Sequence, residues 1–152
     1  MSIKAKYVHT NIVAADWGRL AEFYIDVFGC SIVPPERNYK GKELDAGVNI
    51  SGAHLKGVHL RLPGWSENGP TLEIYSYSFQ EERPKTAVNR PGFTHIAFEV
   101  DDVEEAKKKV LAAGGSTVGE IVTLTTSVGS KVTWCYLTDP EGNIIELQKW
   151  NK

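Results

Sequence analysis

Cysteine is scarce in this chain. Cys30 and Cys135 lie far apart and in no paired spacing, so they read as two reduced thiols rather than a disulfide framework. No apolar run reaches the length of a membrane span, and Lys4 and Lys6 precede a strand rather than the apolar segment of a secretory leader. A cytoplasmic location is the resulting expectation. Charge of one sign is also missing. The net charge of −2 leaves no electrostatic footprint for nucleic acid or an anionic membrane. No glycine-rich phosphate loop, nucleophile elbow or CxxC pair is present. What remains is ordinary for a soluble globular protein: 41% apolar and 24% charged residues in 152, enough for one compact domain or two small half-domains sharing a core.

The most informative stretch is FTHIAFEVDD, residues 93–102. Its alternation is that of a half-buried strand, with Thr94, Ile96, Phe98 and Val100 on one face and Phe93, His95, Ala97 and Glu99 on the other. The acidic pair Asp101-Asp102 then opens a helix. The stripe carrying Ile96 faces that helix, so His95 faces away from it. The stretch YVHTNIVAAD, residues 7–16, has the same plan. A shift of 86 residues carries His9 onto His95, Asp16 onto Asp102 and Gly29 onto Gly115. A repeat this long in so short a chain indicates duplication of one supersecondary unit.

Each copy continues alike. In the first, Lys6–Val13 reads as a strand and Asp16 as a helix N-cap. Trp17, Leu20, Ala21, Tyr24, Val27 and Phe28 form one helical stripe that Gly29 ends. Cys30–Val33 is a short strand stopped by Pro34-Pro35. Residues 36–52 are the least regular, with a short helix over Lys42–Ile50. His54–Leu62 and Thr71–Ser78 are strands around a turn-rich loop. In the second copy Asp102 caps a helix over Val103–Ala113, and Glu105 stands at capping-box spacing. Strands over Ser116–Ser127 and Lys131–Thr138 follow, then the tight turn Asp139-Pro140-Glu141-Gly142-Asn143 and a last strand over Asn143–Trp150. An offset of 73 residues sets TLEIYSYS on the last strand and Glu73 on Glu146. The expected organisation is a single domain over 1–152: one module at about 5–80, a linker at about 80–91 and a second module at about 92–152.

Four residues recur where neighbouring alternate positions are apolar: His9, Glu73, His95 and Glu146. Charged groups on a covered sheet face are costly unless paired or metal-bound. Taken alone, a strand His is a structural or surface residue and a strand Glu a solvated one. The same pair in both repeats is poorly explained that way. Two imidazoles and two carboxylates make a mixed N/O site for one divalent ion such as Zn²⁺, Ni²⁺, Co²⁺, Mn²⁺ or Fe²⁺. His59 shares the parity of Arg61 and could line such a site, although a structural or exposed role is the plainer reading.

The segments VHTNIVAADWGRLAEFYIDVFG, FTHIAFEVDDVEEAKKKVLAAGG and YLTDPEGNIIELQ resemble the vicinal oxygen chelate superfamily. That superfamily includes glyoxalase I, methylmalonyl-CoA epimerase, extradiol dioxygenases and bleomycin and fosfomycin resistance proteins. The resemblance spans nearly the whole chain. It implies an α+β fold of two tandem βαβββ modules forming a curled mixed sheet around a metal-binding cleft, with His9, Glu73, His95 and Glu146 at the metal positions. It also implies a homodimer and a small-molecule substrate bound through oxygen. Glu73 and Glu146 are then candidates for both metal ligand and general base. A fourth protein ligand crowds the open positions an extradiol dioxygenase needs, and the retained ligand set argues against a purely sequestering, bleomycin-resistance-like protein. A glyoxalase I-like lyase or isomerase, moving a proton next to a metal-bound carbonyl, is the leading expectation. A methylmalonyl-CoA-epimerase-like isomerase is the alternative. A glutathione or CoA thioester adduct would call for a cation, for which Arg37, Arg61 and Lys131 are available.

The face assignment is open to test. Replacing Ile96 with Asp puts a charge into the helix-facing stripe and is expected to prevent folding. A soluble variant that melts cooperatively would show that the faces of this strand are reversed.

Overall fold

The computed structural model describes residues 2–151. They divide into two compact units, one ending at Glu82 and the other starting at Arg83. The architecture is mixed α+β, with one mixed sheet of four strands and one of five, and three helices.

The first unit runs β1 (His9–Val13), α1 (Trp17–Phe28), β2 (Ser31–Lys40), α2 (Lys42–Val48), β3 (His54–Arg61) and β4 (Thr71–Tyr77). Its sheet has the order β1-β4-β3-β2, in which β1 and β4 are parallel and the other pairs antiparallel. A parallel neighbour requires a crossover, and α1 supplies it. Asp16 caps α1 through its Oδ1, which accepts from the Arg19 amide at 3.0 Å. Gly29 ends it in the left-handed region at φ 72°. Ser76 on β4 ties the helix start to the sheet: its hydroxyl accepts from the Trp17 amide at 2.9 Å and donates to the Ala14 carbonyl at 2.7 Å. The buried face of α1 comprises Leu20, Ala21, Phe23 and Tyr24, so Phe23 joins the stripe drawn by periodicity, while Trp17, Val27 and Phe28 at its margins are half-buried. Against it lie Val58, Leu60, Leu72 and Ile74, all buried.

The prolines do not stop β2. Val33 pairs with His59 and Arg37 with Gly57, so Pro34, Pro35 and Glu36 stand opposite Val58 alone. Pro34 and Pro35 are joined by a cis peptide bond. This is an edge strand, where a bulge accommodates residues that cannot donate to the ladder. The strand resumes at Arg37 and takes in residues that composition marks as irregular.

The second unit runs β5 (His95–Glu99), α3 (Val103–Ala112), β6 (Ser116–Thr117), β7 (Val122–Thr125), β8 (Lys131–Thr138) and β9 (Ile144–Asn151). Its sheet has the order β5-β9-β8-β6, with β7 also on β8, and β5 is parallel to β9. The single strand expected over Ser116–Ser127 is split. Thr117 stands opposite Leu137 and Val122 opposite Trp134, so four residues face two. The amides of Val118 and Gly119 both donate to the Tyr136 carbonyl at 3.2 Å, which absorbs the surplus. Asp102 caps α3 through the Glu105 amide at 3.0 Å. The Glu105 carboxylate, placed for a capping box, instead accepts from Lys108 at 2.6 Å. Val103 and Val110 of α3 and Cys135, Leu137, Ile145 and Leu147 of the sheet form the buried layer.

The β8–β9 turn is built on a buried acid. Asp139 is 1% exposed. Its Oδ1 accepts from the amides of Glu141 and Asn143, each at 2.9 Å, and its Oδ2 from the Asn143 side chain at 2.7 Å. Gly142 completes the turn at φ 82°, and its carbonyl accepts from the Thr86 hydroxyl at 2.9 Å. Removing the carboxylate leaves three half-buried donors without their partner, at about 1 kcal/mol for each, the low end for an unsatisfied group. Asp139→Ala is therefore expected to lower stability by about 3 kcal/mol or more in urea unfolding. A midpoint shift equivalent to less than about 0.5 kcal/mol, the usual surface effect, would show that the turn holds without it.

Candidate functional site

Strand alternation decides what each sheet presents on the face away from its helix. In the first unit Leu72 and Ile74 enter the core, so Glu73 and Tyr75 point the other way. The parallel β1–β4 register sets Asn11 opposite Glu73 and His9 opposite Thr71. The antiparallel β3–β4 register sets His59 opposite Glu73 and Gly57 opposite Tyr75. Glu73 is thus flanked on both strands. Its Oε1 accepts from the Asn11 amide nitrogen at 2.8 Å, and its Oε2 lies 2.6 Å from His59 Nε2. His9 Nε2 stands 3.8 Å from Oε1, and the two imidazoles meet edge to face with ring centroids 5.4 Å apart. Behind His59, Nδ1 is 2.9 Å from the Thr71 hydroxyl.

Tyr75 closes one side of this group, with its hydroxyl 3.4 Å from His59 Nε2. Its ring lies over Gly57, where any side chain would run into the Ile74 carbonyl and the Tyr75 ring. Burial pushes the Tyr75 phenol well above its usual range, and the neighbouring Glu73 pushes it further, so it remains a neutral donor at physiological pH. Burial also lowers the His59 imidazole, aided by the charges of Arg37 and His9 and opposed by Glu73. Arg37, whose guanidinium donates to the Pro35 carbonyl, is thus close enough for its charge to be felt at His59 and Tyr75. Arg61 is committed to the Glu67 carbonyl at 2.6 Å, and Lys131 is exposed at the start of β8 in the other unit.

The second unit repeats the frame with different neighbours. Ile145 and Leu147 are buried, so Glu146 points away from α3. The registers set Ala97 and Tyr136 beside it. His95 Nε2 lies 3.1 Å from Glu146 Oε2, and Thr94 Oγ1 lies 3.1 Å from His95 Nδ1. Tyr136 packs between His95, at 5.0 Å between ring centroids, and Trp134, at 4.8 Å. Burial and the Glu146 charge raise the Tyr136 phenol.

Each sequence-predicted His is thus beside its Glu within its own unit: His9 with Glu73, and His95 with Glu146. His59, for which a structural or exposed role is the plainer reading of the sequence, lies 2.6 Å from Glu73. Among the described residues, His9, His59 and Glu73 form a set whose ligand atoms all lie within 4.8 Å of one another. The donors fit a first-row divalent ion, because imidazole nitrogen with carboxylate oxygen suits Zn, Ni, Co or Fe better than Mg or Ca. His54 lies outside the set, with Nε2 2.7 Å from Asn38 Oδ1. Among the described residues no helix is long and apolar enough to cross a membrane.

The family model for the Glyoxalase/Bleomycin resistance protein/Dioxygenase superfamily matches residues 6–147. The chain belongs to that superfamily. No curated protein sequence matches it. Among solved structures, a glyoxalase family protein from Bacillus cereus superposes with a TM-score of 0.75 at 19% identity, over 100% of this chain and 97% of that one. A glyoxylase/bleomycin resistance protein/dioxygenase domain from Frankia sp. gives a TM-score of 0.58 at 14% identity, over 100% of this chain and 95% of that one. A glyoxalase I variant from Zea mays gives 0.62 at 18% identity, covering 93% of this chain and 45% of the maize protein. At these identities the likeness is one of fold.

Gly57 makes the site's geometry testable. Gly57→Ala forces backbone or ring displacement on a covered strand and is expected to cost about 1–3 kcal/mol, as overpacking does. It should also alter the near-ultraviolet circular dichroism of the tyrosines. A melting temperature and spectrum equal to those of the parent protein would show that Tyr75 does not need that space.

Proposed function

We propose that the protein is a metal-dependent enzyme of its superfamily, a glyoxalase I-like lyase or isomerase that moves a proton next to a substrate carbonyl. The observation that carries this reading is the paired His–Glu arrangement, met once in each unit on the sheet face turned away from the helix. His9, Glu73, His95 and Glu146 are the residues assigned to a divalent ion. Such an ion supplies Lewis acidity, lowering the cost of negative charge on a carbonyl oxygen.

The chain's own groups do the rest. Glu73 and Glu146 are the carboxylates able to take up and return a proton. Tyr75 and Tyr136, held protonated by burial and by those carboxylates, offer neutral hydroxyl donors beside them. A donor that keeps its proton can stabilise developing oxyanion charge without competing as an acid. Arg37 supplies a positive charge felt by the first unit's group and suits an anionic substrate such as a glutathione or CoA adduct.

Two assays decide the reading. Metal-loaded protein is expected to turn over a glutathione hemithioacetal. Exchange of the α-proton of a branched acyl-CoA, without that turnover, would move the assignment to an epimerase-like isomerase. Absence of both, with tight binding of a drug-like ligand instead, would overturn the enzyme reading. Glu146→Gln should retain the parent's melting behaviour and lose about a hundredfold or more in turnover, the scale of a lost general base. Unchanged activity and metal content in that variant would remove Glu146 from the site.

A further inference from the structure

The two units are not equivalent around their glutamates. The strand positions flanking Glu146 hold Ala97 and Tyr136, whereas those flanking Glu73 hold Asn11 and His59. The first unit therefore carries two imidazoles and one carboxylate on adjacent strands of a single sheet. We propose that His59 is itself a metal ligand, and that His9, His59 and Glu73 suffice to hold a first-row transition-metal ion when His95 and Glu146 are removed. This deepens the metal-dependent reading above and rests on it.

Three features support the assignment. The ligand atoms of the trio already lie within 4.8 Å of one another, against the roughly 3.3 Å separation that bonds of about 2.0–2.2 Å impose on neighbouring ligands in a tetrahedral site. Small side-chain rotations on rigid strands close that difference. His59 is also oriented from behind. The Thr71 hydroxyl at 2.9 Å from Nδ1 can donate to that nitrogen or accept from it. When Nε2 offers its lone pair to an ion, the ring proton stands on Nδ1 with Thr71 as acceptor, the arrangement that fixes metal-bound imidazoles. Finally, Glu73 Oε1 is held by Asn11 at 2.8 Å, which aims Oε2 at the space His59 shares. If the carboxylate needed only hydrogen-bond partners, Asn11 and His59 would suffice. The edge-on approach of the half-exposed His9 ring then serves no purpose, whereas a third ligand accounts for it.

The ligand set implies an ion that accepts nitrogen, such as Zn²⁺, Co²⁺, Ni²⁺ or Cu²⁺, over Mg²⁺ or Ca²⁺. The test uses the full chain with His95→Ala and Glu146→Gln combined, titrated with Zn²⁺ by calorimetry. Retention of one ion per chain, with affinity within about tenfold of the parent, is expected. Adding His59→Ala to that background is expected to weaken binding by about a hundredfold or more, since even an outer-shell partner of a metal ligand is worth ten- to a hundredfold. Substoichiometric Cu²⁺ in the His95/Glu146 double variant provides a readout independent of how the His59 variant folds. Nitrogen hyperfine coupling from two imidazoles is expected in its electron paramagnetic resonance spectrum. Coupling from one imidazole, or loss of Zn²⁺ from the double variant while the parent binds it, overturns this proposal and leaves the metal-dependent reading standing. A parent chain that takes up no ion overturns both.

Discussion

The parallel pairing of the first and last strand in each unit is the constraint on which the rest depends. A parallel neighbour cannot be reached by a hairpin, so the chain must cross over, and the crossover helix covers one face of the sheet. That face takes Leu72 and Ile74 in one unit and Ile145 and Leu147 in the other. Because side chains alternate, Glu73 and Glu146 are then turned to the opposite face whatever else the sequence does. The same pairing brings His9 to within two register positions of Glu73, and His95 to the same relation with Glu146. The histidine–glutamate contacts are thus consequences of topology, and the helix caps at Asp16 and Asp102 stabilise the crossover that enforces it.

On this shared frame the flanking residues set the chemistry. A phenol beside a carboxylate and shielded from water keeps its proton, which makes Tyr75 and Tyr136 donors rather than acids. The space for Tyr75 comes from Gly57 on the adjacent strand, where a side chain would strike backbone as well as ring. A residue without chemistry of its own thereby shapes the group around Glu73.

Much of the fold was legible in the sequence because its signals are local. Strand alternation around His95, the capping aspartates, Gly29 after the first helix and the Asp139–Asn143 turn depend only on near neighbours. The 86-residue repeat then joined them into a plan. The prolines at 34 and 35 misled for the same reason. A local rule reads them as a stop, but whether a strand resumes after a bulge depends on the partner strand, here β3. Glu105 likewise stands at capping-box spacing, yet its carboxylate found Lys108. His59 shows the limit most clearly. Its face could be read from parity with Arg61. Its position opposite Glu73 could not, because that register is set by how the 62–70 loop closes between β3 and β4.

The two carboxylates have different surroundings. Glu73 has a polar partner on each oxygen, Asn11 on one and His59 on the other, so moving it breaks contacts on both strands. Glu146 has His95 at one oxygen and the Tyr136 hydroxyl as hydrogen-bond donor, with Ala97 on the other flank. A carboxylate clamped at both ends suits a fixed ligand, because ligand geometry must persist through turnover. A carboxylate that carries a proton must move between partners, and the group with fewer tethers does so at lower cost. Two copies of one supersecondary unit thus hold glutamates at matching positions with different freedom, through the residues that stand beside them.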